Sequence, residues 1–334
     1  MFIPQRVVFE EKALNFQLGK ELFERFNNQG ITVEVNKTGR VNGPKDDDVK
    51  KYFDGKRTLV VGVKGKTKFQ SCKPSAHYQL PLVSGCMGMC EYCYLNTQLG
   101  KRPYIKIYVD IEDILSRAFE YANERLPYIT IFEGSATSDP IPVEVYTHGL
   151  SKAIEAFGKN DNTAFRFVSK YSEVEPFIGL QHNNHTTIRF SINSQEIVKK
   201  YEHRTDSADK RIEAAKRVRN DGYDVGFIIA PVFLYDTWKE DYSKLLDKIE
   251  SEFKGEDIKF EVISHRFTER AKNNILEIYK NSTLPMDKEM RKFKYGQFGY
   301  GKYIYKDEEI KLIKDFFAER IKSSFGDDSI LYII

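Results

Sequence analysis

Cysteine is scarce in this chain of 334 residues, which holds four. Three of them, Cys86, Cys90 and Cys93, fall within eight consecutive positions, and the fourth is Cys72. Thiols gathered in this way exclude a disulfide framework, which spreads its cysteines to staple loops. They point to metal or redox chemistry in a reducing compartment. Long apolar runs are missing too. No stretch approaches the roughly 18 apolar residues of a membrane span. The opening "MFIPQRVVFEEKALNFQLGK" is interrupted by charge every few residues, unlike a signal peptide. A cytoplasmic protein that makes no membrane contact is the expectation. Internal repeats and low-complexity tracts are also lacking. So is an excess of charge of one sign: 52 Lys and Arg against 49 Asp and Glu leave a net +3. A polyanionic partner is allowed, and any basic surface must come from local clustering.

What is present is a rhythm. After a polar, turn-rich stretch at 36–58 comes a strand pattern at 59–63, "LVVGV". Gly65-Lys66-Thr67 then resembles the tail of a phosphate-binding loop, but the glycine that motif needs five residues earlier is Val60, so a basic surface turn is the better reading. From residue 105, apolar β-branched runs alternate with amphipathic stretches. The strands predicted are 105–109, 128–132, 165–169, 187–192, 225–230 and 259–264. Helices are predicted at 111–123, 208–220 and 238–253, the second followed by Gly222 where a C-cap belongs. Such units imply an α/β fold of parallel strands covered by helices, either doubly wound or a barrel, with the site at the C-terminal strand ends. That rule singles out 133–139, Lys170, Asn193, Pro231 and His265. Near the end, 288–306 mixes Lys and Arg with aromatics and glycines in an alternating pattern, a β-hairpin expected before a final helix from about 307 to 324.

Three thiolates on a short loop are soft donors suited to zinc, copper(I) or an iron–sulfur cluster. A structural zinc site needs a fourth ligand, and Cys72, fourteen residues upstream, could supply it. The alternative is a four-iron cluster with one iron left open. Cys86-x-x-x-Cys90-x-x-Cys93, with Tyr92 before the third cysteine, resembles the radical S-adenosylmethionine (AdoMet) enzymes. In that superfamily the open iron chelates the methionine part of AdoMet, and reductive cleavage yields a 5′-deoxyadenosyl radical.

The resemblance narrows further on "KPSAHYQLPLVSGCMGMCEYCYLNTQLGKRPYIKIYV", "FEGSATSD", "FRFVSKY", "RFSIN", "GFIIAPV", "HRFT" and "YGKYIY", which stand in order along nearly the whole chain. Together they are similar to the spore photoproduct lyase family. This implies a partial (β/α)6 TIM-type barrel at 79–285, an N-terminal α/β extension at 1–78, and a DNA-contacting hairpin and final helix at 286–334. It implies a lyase that reverses 5-thyminyl-5,6-dihydrothymine in spore DNA to two thymines, starting with hydrogen abstraction from C6. The implied cofactors are a 4Fe-4S cluster on Cys86, Cys90 and Cys93, and AdoMet bound by Ser138, Lys170 and Ser191. Tyr92 and Tyr94 line the pocket and Ala230 packs nearby. A monomer in the spore core or germinating cell, reduced by flavodoxin or ferredoxin, completes the expectation.

Four positions depart from the family pattern. Where the family's hydrogen-donor cysteine falls, in the stretch reading Ser135-Ala136-Thr137-Ser138-Asp139, this chain has Ala136. A methyl C–H is far stronger than an S–H and cannot replace it. The remaining thiol is Cys72, where the family carries serine. Either Cys72 has taken over as donor, relaying through Tyr94, or it is an inert buried thiol. In the hairpin, Gln297-Phe298 replaces the family's Arg-Tyr, leaving Lys292, Lys294 and Lys302 as phosphate partners and Phe298 as a stacking face. The competing functions are a radical enzyme for another substrate and a zinc-stabilised nucleic-acid-binding module.

Overall fold

A computed structural model describes residues 1–45, 47–73, 75–134, 136–295 and 301–334, with backbone only at 96 and 97. Two sheets dominate. The larger has eight strands, and its parallel run begins at Ala76–Gln79. It continues through Thr130–Glu133, Thr163–Ser169, Thr186–Ile192, Asp224–Val232 and Lys259–Ser264 to Ile330–Ile333. Ser71–Cys72 adds an antiparallel edge beside Ala76–Gln79. The sheet curls into a half-barrel, so the α/β partial-barrel expectation holds. Asp224–Val232 is buried over most of its length, as a parallel strand covered on both faces must be.

The helices between these strands follow their sequence signals closely. Ile111–Asn123, Ala208–Asn220 and Trp238–Phe253 lie where the apolar periodicity puts them. Ser207 caps the second, its hydroxyl accepting from the Lys210 amide at 3.3 Å. Gly222 beyond its end takes φ +95°, a conformation costly for any residue with a Cβ.

The N-terminal part differs from expectation. Its five-stranded sheet joins Arg6–Glu10, Thr32–Asn36 and Thr58–Gly62 with Ile105–Tyr108 and Val83–Ser84. The run at 105–109, predicted to open the barrel, therefore belongs to this other sheet, paired with Thr58–Gly62. The barrel's true opening strand is Ala76–Gln79, whose polar sequence hides it. That strand straddles the boundary expected at 78/79. Both sheets also share one apolar core, in which Val7, Phe9 and Val61 pack with Phe132, Phe165 and Phe227.

The hairpin is present as Lys292–Tyr295 against Gly301–Ile304, followed by the helix Asp307–Phe325. Gln297 and Phe298 lie outside the described residues. Among the described residues no helix is long and apolar enough to cross a membrane.

Candidate active site

The cysteine loop leaves the first barrel strand and is pinned at both ends. Gly85, just before Cys86, takes φ +82°, and a Cβ there would meet the Tyr104 carbonyl oxygen at 2.3 Å, so only glycine fits. Its amide donates to the Thr137 carbonyl at 3.0 Å, and Gly85 bridges Ser138. That contact ties the thiol loop to the loop after Thr130–Glu133. Met89–Cys90 pairs antiparallel with Glu202–His203. His203 lies 2.8 Å from the Glu91 carboxylate, which also accepts from Ser282. Lys56, fully buried at the end of the N-terminal helix Asp48–Gly55, donates from Nζ to the carbonyls of Cys86 (2.9 Å) and Gly88 (2.7 Å).

Cys90 is buried, and Cys86 and Cys93 are half-buried. Burial and the Asp139 carboxylate push the Cys86 thiol up to about 12, and burial with Glu202 pushes Cys90 well up as well. Only metal coordination readily offsets such a penalty, because a coordinated thiol is deprotonated outright. The Gly88 amide already donates to Cys86 Sγ at 3.2 Å. Among the described residues, no three His, Cys, Asp or Glu side chains could hold a single metal ion. A polynuclear cluster, being larger, takes its thiolates from further apart. The charged neighbours of Cys72 are Glu133, Arg166 and Arg189, so the zinc alternative with Cys72 as fourth ligand finds no support.

Lys170 follows its strand directly and carries its ammonium into a buried network. Its Nζ lies 2.8 Å from Glu202 Oε1 and 3.1 Å from the Tyr92 hydroxyl, which itself donates to Glu202. Arg211, with no exposed surface, donates to Glu202 Oε2 at 2.6 Å and to the Ser191 carbonyl at 2.9 Å. Burial alone would raise the Glu202 carboxyl, but Arg211 and Lys170 hold it down to about 2. The carboxylate of Asp139 accepts from the Ser169 hydroxyl and the Lys170 amide, while burial lifts it to about 6. Ser138 Oγ is buried and has no partner among the described residues, a polar atom left for an incoming group. Ser191 and Ala230 lie half-buried on neighbouring barrel strands. Tyr94 reaches across to the Ala136 carbonyl, to which its hydroxyl donates. Tyr94 also feels both Cys93 and Cys72, so both thiols lie within electrostatic reach of it.

A family model for spore photoproduct lyase matches residues 2–334. The chain belongs to the spore photoproduct lyase family. The spore photoproduct lyase of Clostridium acetobutylicum is 54% identical over 331 residues, with 99% of this chain and 98% of the relative covered. That of Bacillus subtilis strain 168 is 42% identical over 336 residues with the same coverage. Among solved structures, one is a spore photoproduct lyase with a cysteine-to-alanine and a serine-to-cysteine substitution, with bound AdoMet and dinucleoside spore photoproduct. It matches at TM-score 0.95 and 43% identity, covering 100% of this chain and 99% of that one. Another, complexed with dinucleoside spore photoproduct, matches at TM-score 0.95 and 42% identity.

The cofactors of the spore photoproduct lyase family, AdoMet and a four-iron cluster, fit the residues found here. Three thiols and a donated N–H···S bond suit the cluster, and the orphaned Ser138 hydroxyl suits a polar cofactor. Sequence reasoning missed Glu202, Arg211 and Lys56. Each sits in a polar run that reads as surface, and nothing in one sequence marks a charged residue as buried.

Proposed function

We propose that this chain is a lyase that reverses the spore photoproduct to two thymines, with Cys72 as the hydrogen donor. The observation that carries the donor assignment is an exchange of residues. In the solved double mutant, the lost cysteine and the gained one are separated by the same number of residues as Ala136 and Cys72, in the same order. The tyrosine replaced by phenylalanine in a further spore photoproduct lyase structure stands at the spacing of Tyr94 from both.

When bound, cluster and AdoMet supply one-electron cleavage of the sulfonium and hydrogen abstraction from the lesion. The chain's residues do the rest. Ser138, Lys170 and Ser191 bind and orient AdoMet, with Tyr92 and Ala230 along its pocket; Glu202 and Arg211 fix the Lys170 ammonium where it can pair with a carboxylate. Cys72 returns a hydrogen atom to the thymine side of the opened lesion: its S–H bond breaks as a C–H bond forms. A donor of hydrogen atoms must hold its proton, and burial, helped by Glu133, raises the Cys72 thiol above its ordinary value against Arg166 and Arg189. Tyr94 is the relay that returns hydrogen to the sulfur.

The hairpin supports DNA as the setting of the lesion. Lys294 and Lys302 stand directly opposite each other across its strands, and like charges so placed destabilise a hairpin unless an anion joins them. Phe293 and Tyr295 are exposed beside them. Extruding the damaged bases into the barrel end requires such a contact to hold the strand. The reading extends to a monomeric cytoplasmic enzyme of the germinating spore, reduced by flavodoxin or ferredoxin.

The test is anaerobic repair of the defined dinucleoside lesion with AdoMet and dithionite, beside Cys72→Ala. The unaltered chain is expected to yield thymine, with solvent deuterium entering the product through the exchanged thiol. Cys72→Ala is expected to lose that deuterium and shift the product ratio sharply. Identical products from both proteins would remove Cys72 from the mechanism.

A further inference from the structure

A buried cluster must be reached by its reductant, and the cysteine loop touches a surface cleft on one side. The cleft, about 350 Å³, is lined by Ile3, Gln5, Phe53, Arg57, Met89 and Arg204. Met89 is covalently joined to Cys90, a cluster ligand, and the Arg204 guanidinium stands 4.0 Å from its sulfur. Lys56 turns inward to the loop carbonyls while its neighbour Arg57 is exposed. The Gln5 amide donates to the Arg57 carbonyl at 2.9 Å, which fixes the cleft's rim. Neither Arg57 nor Arg204 forms an ion pair among the described residues, although Asp54, three positions before Arg57, is engaged by Arg6 and Arg102. Phe53 and Ile3 line the same cleft, the latter 65% exposed.

We infer that this cleft is the docking port of a small acidic one-electron carrier protein, which delivers its electron to the cluster through the Met89–Cys90 segment. The inference rests on the reading of this chain as a cluster enzyme. A cleft lined by apolar side chains and by two arginines without ion pairs among the described residues has the make-up of a transient interface, and its charge complements an acidic partner. Tyr92 and Tyr94 of the same loop reach Glu202 and the Ala136 carbonyl, neither of which lines the cleft, so carrier and lesion need not compete for one face. The electron adds to the cluster and leaves the carrier oxidised by one equivalent, with no proton required at the port.

The experiment is stopped-flow reduction of the reconstituted holoenzyme by reduced flavodoxin at low ionic strength, comparing the unaltered chain with R57E/R204E. Charge reversal is expected to slow the bimolecular reduction about tenfold or more, since steering of this kind contributes 10-fold to 1000-fold. Added salt is expected to slow the unaltered protein alone. Dithionite-driven repair and duplex DNA affinity are expected to be unchanged, and R57K/R204K to keep the unaltered rate. An unchanged flavodoxin rate overturns the port. So does an equal loss with dithionite, which marks a disturbed loop, or a loss of DNA affinity in its place. Failure of the unaltered chain to repair with dithionite would instead sink the lyase reading, and the cluster reduction rates would still judge the port.

Discussion

Lys56 is a cation enclosed by the fold with two backbone carbonyls and the face of Tyr52, 5.5 Å from its ammonium, for company. Burying a charge is costly unless each of its donors is met, and here the loop that carries the cluster meets two. Lys56→Met keeps the volume and leaves both carbonyls unsatisfied, at about 1–3 kcal/mol for each orphaned group. The expected outcome is a lower thermal midpoint and less iron retained per chain after reconstitution and chelator challenge. Equal iron and an equal midpoint would show that the loop holds itself. At this scale the sequence showed the thiols, because their crowding is visible in one dimension. It hid their supports. Glu202, buried by Arg211 and Lys170, stands in "KKYEHRTD", a run indistinguishable from solvent-facing sequence until the fold encloses it.

The hairpin is the element whose proposed DNA contact depends most on charge. Lys292 is engaged by Asp307 at 2.5 Å, whereas Lys294 and Lys302 face each other, and burial with Arg266 and Lys294 lowers Lys302 from its usual range. K294A/K302A is expected to weaken duplex binding and to flatten the salt dependence by about one unit of slope per lysine removed, leaving cluster content intact. Affinity and slope equal to the unaltered chain would make the hairpin an ordinary surface feature. Its base is held by Arg291, which donates to the His265 and Pro285 carbonyls at 3.0 Å and lies 3.6 Å over the Tyr305 ring. Because guanidinium only donates, His265 Nδ1, 3.3 Å away, must accept, so the ring is neutral. Burial first, and Arg291 second, depress His265 well below its ordinary 6.5. A depressed histidine stabilises the fold above the unfolded value and loses that contribution as pH falls below 6.5. The thermal midpoint is therefore expected to drop between pH 7.5 and 5.5, and His265→Gln to lessen the drop; parallel profiles would clear His265 of it. Helices at this scale were legible in part. Gln17–Asn28, Gly149–Gly158 and Glu269–Ile278 went unpredicted, but Ile111–Asn123, Ala208–Asn220 and Trp238–Phe253 were legible to the residue, since periodicity and caps are local signals. The strands Ala76–Gln79 and Ile330–Ile333 were not, because one is polar and the other follows a helix at the chain's end.

Across the whole molecule, the open barrel must keep its curl without closing its hydrogen-bonded ring, and a line of buried polar groups crosses its interior from edge to edge. Tyr332, on the terminal strand, donates to Glu261. Arg189 bridges Glu261 and Glu133, and Arg166, 3.3 Å from Glu133, donates on to Ser75 beside the Cys72 strand. Opposite charges alternate along this line; Glu261, Arg189 and Glu133 are buried, and Arg166 is half-buried. Glu261, which burial would raise, is drawn below its ordinary value by Arg189. Removing the central cation leaves Glu261 without its charge partner and Glu133 with Arg166 alone, and breaking a buried pair in this way costs about 3–5 kcal/mol. Arg189→Met is expected to lower the thermal midpoint strongly, and to weaken the hydrogen return proposed for Cys72 more than AdoMet cleavage, because the line ends beside the strand that carries the thiol. E261Q added to Arg189→Met is expected to recover part of the midpoint by removing the stranded charge. A midpoint unmoved by Arg189→Met would mean that packing of the aromatic core alone sets the curl. The position of Cys72 relative to the cluster would then owe nothing to the far edge of the sheet.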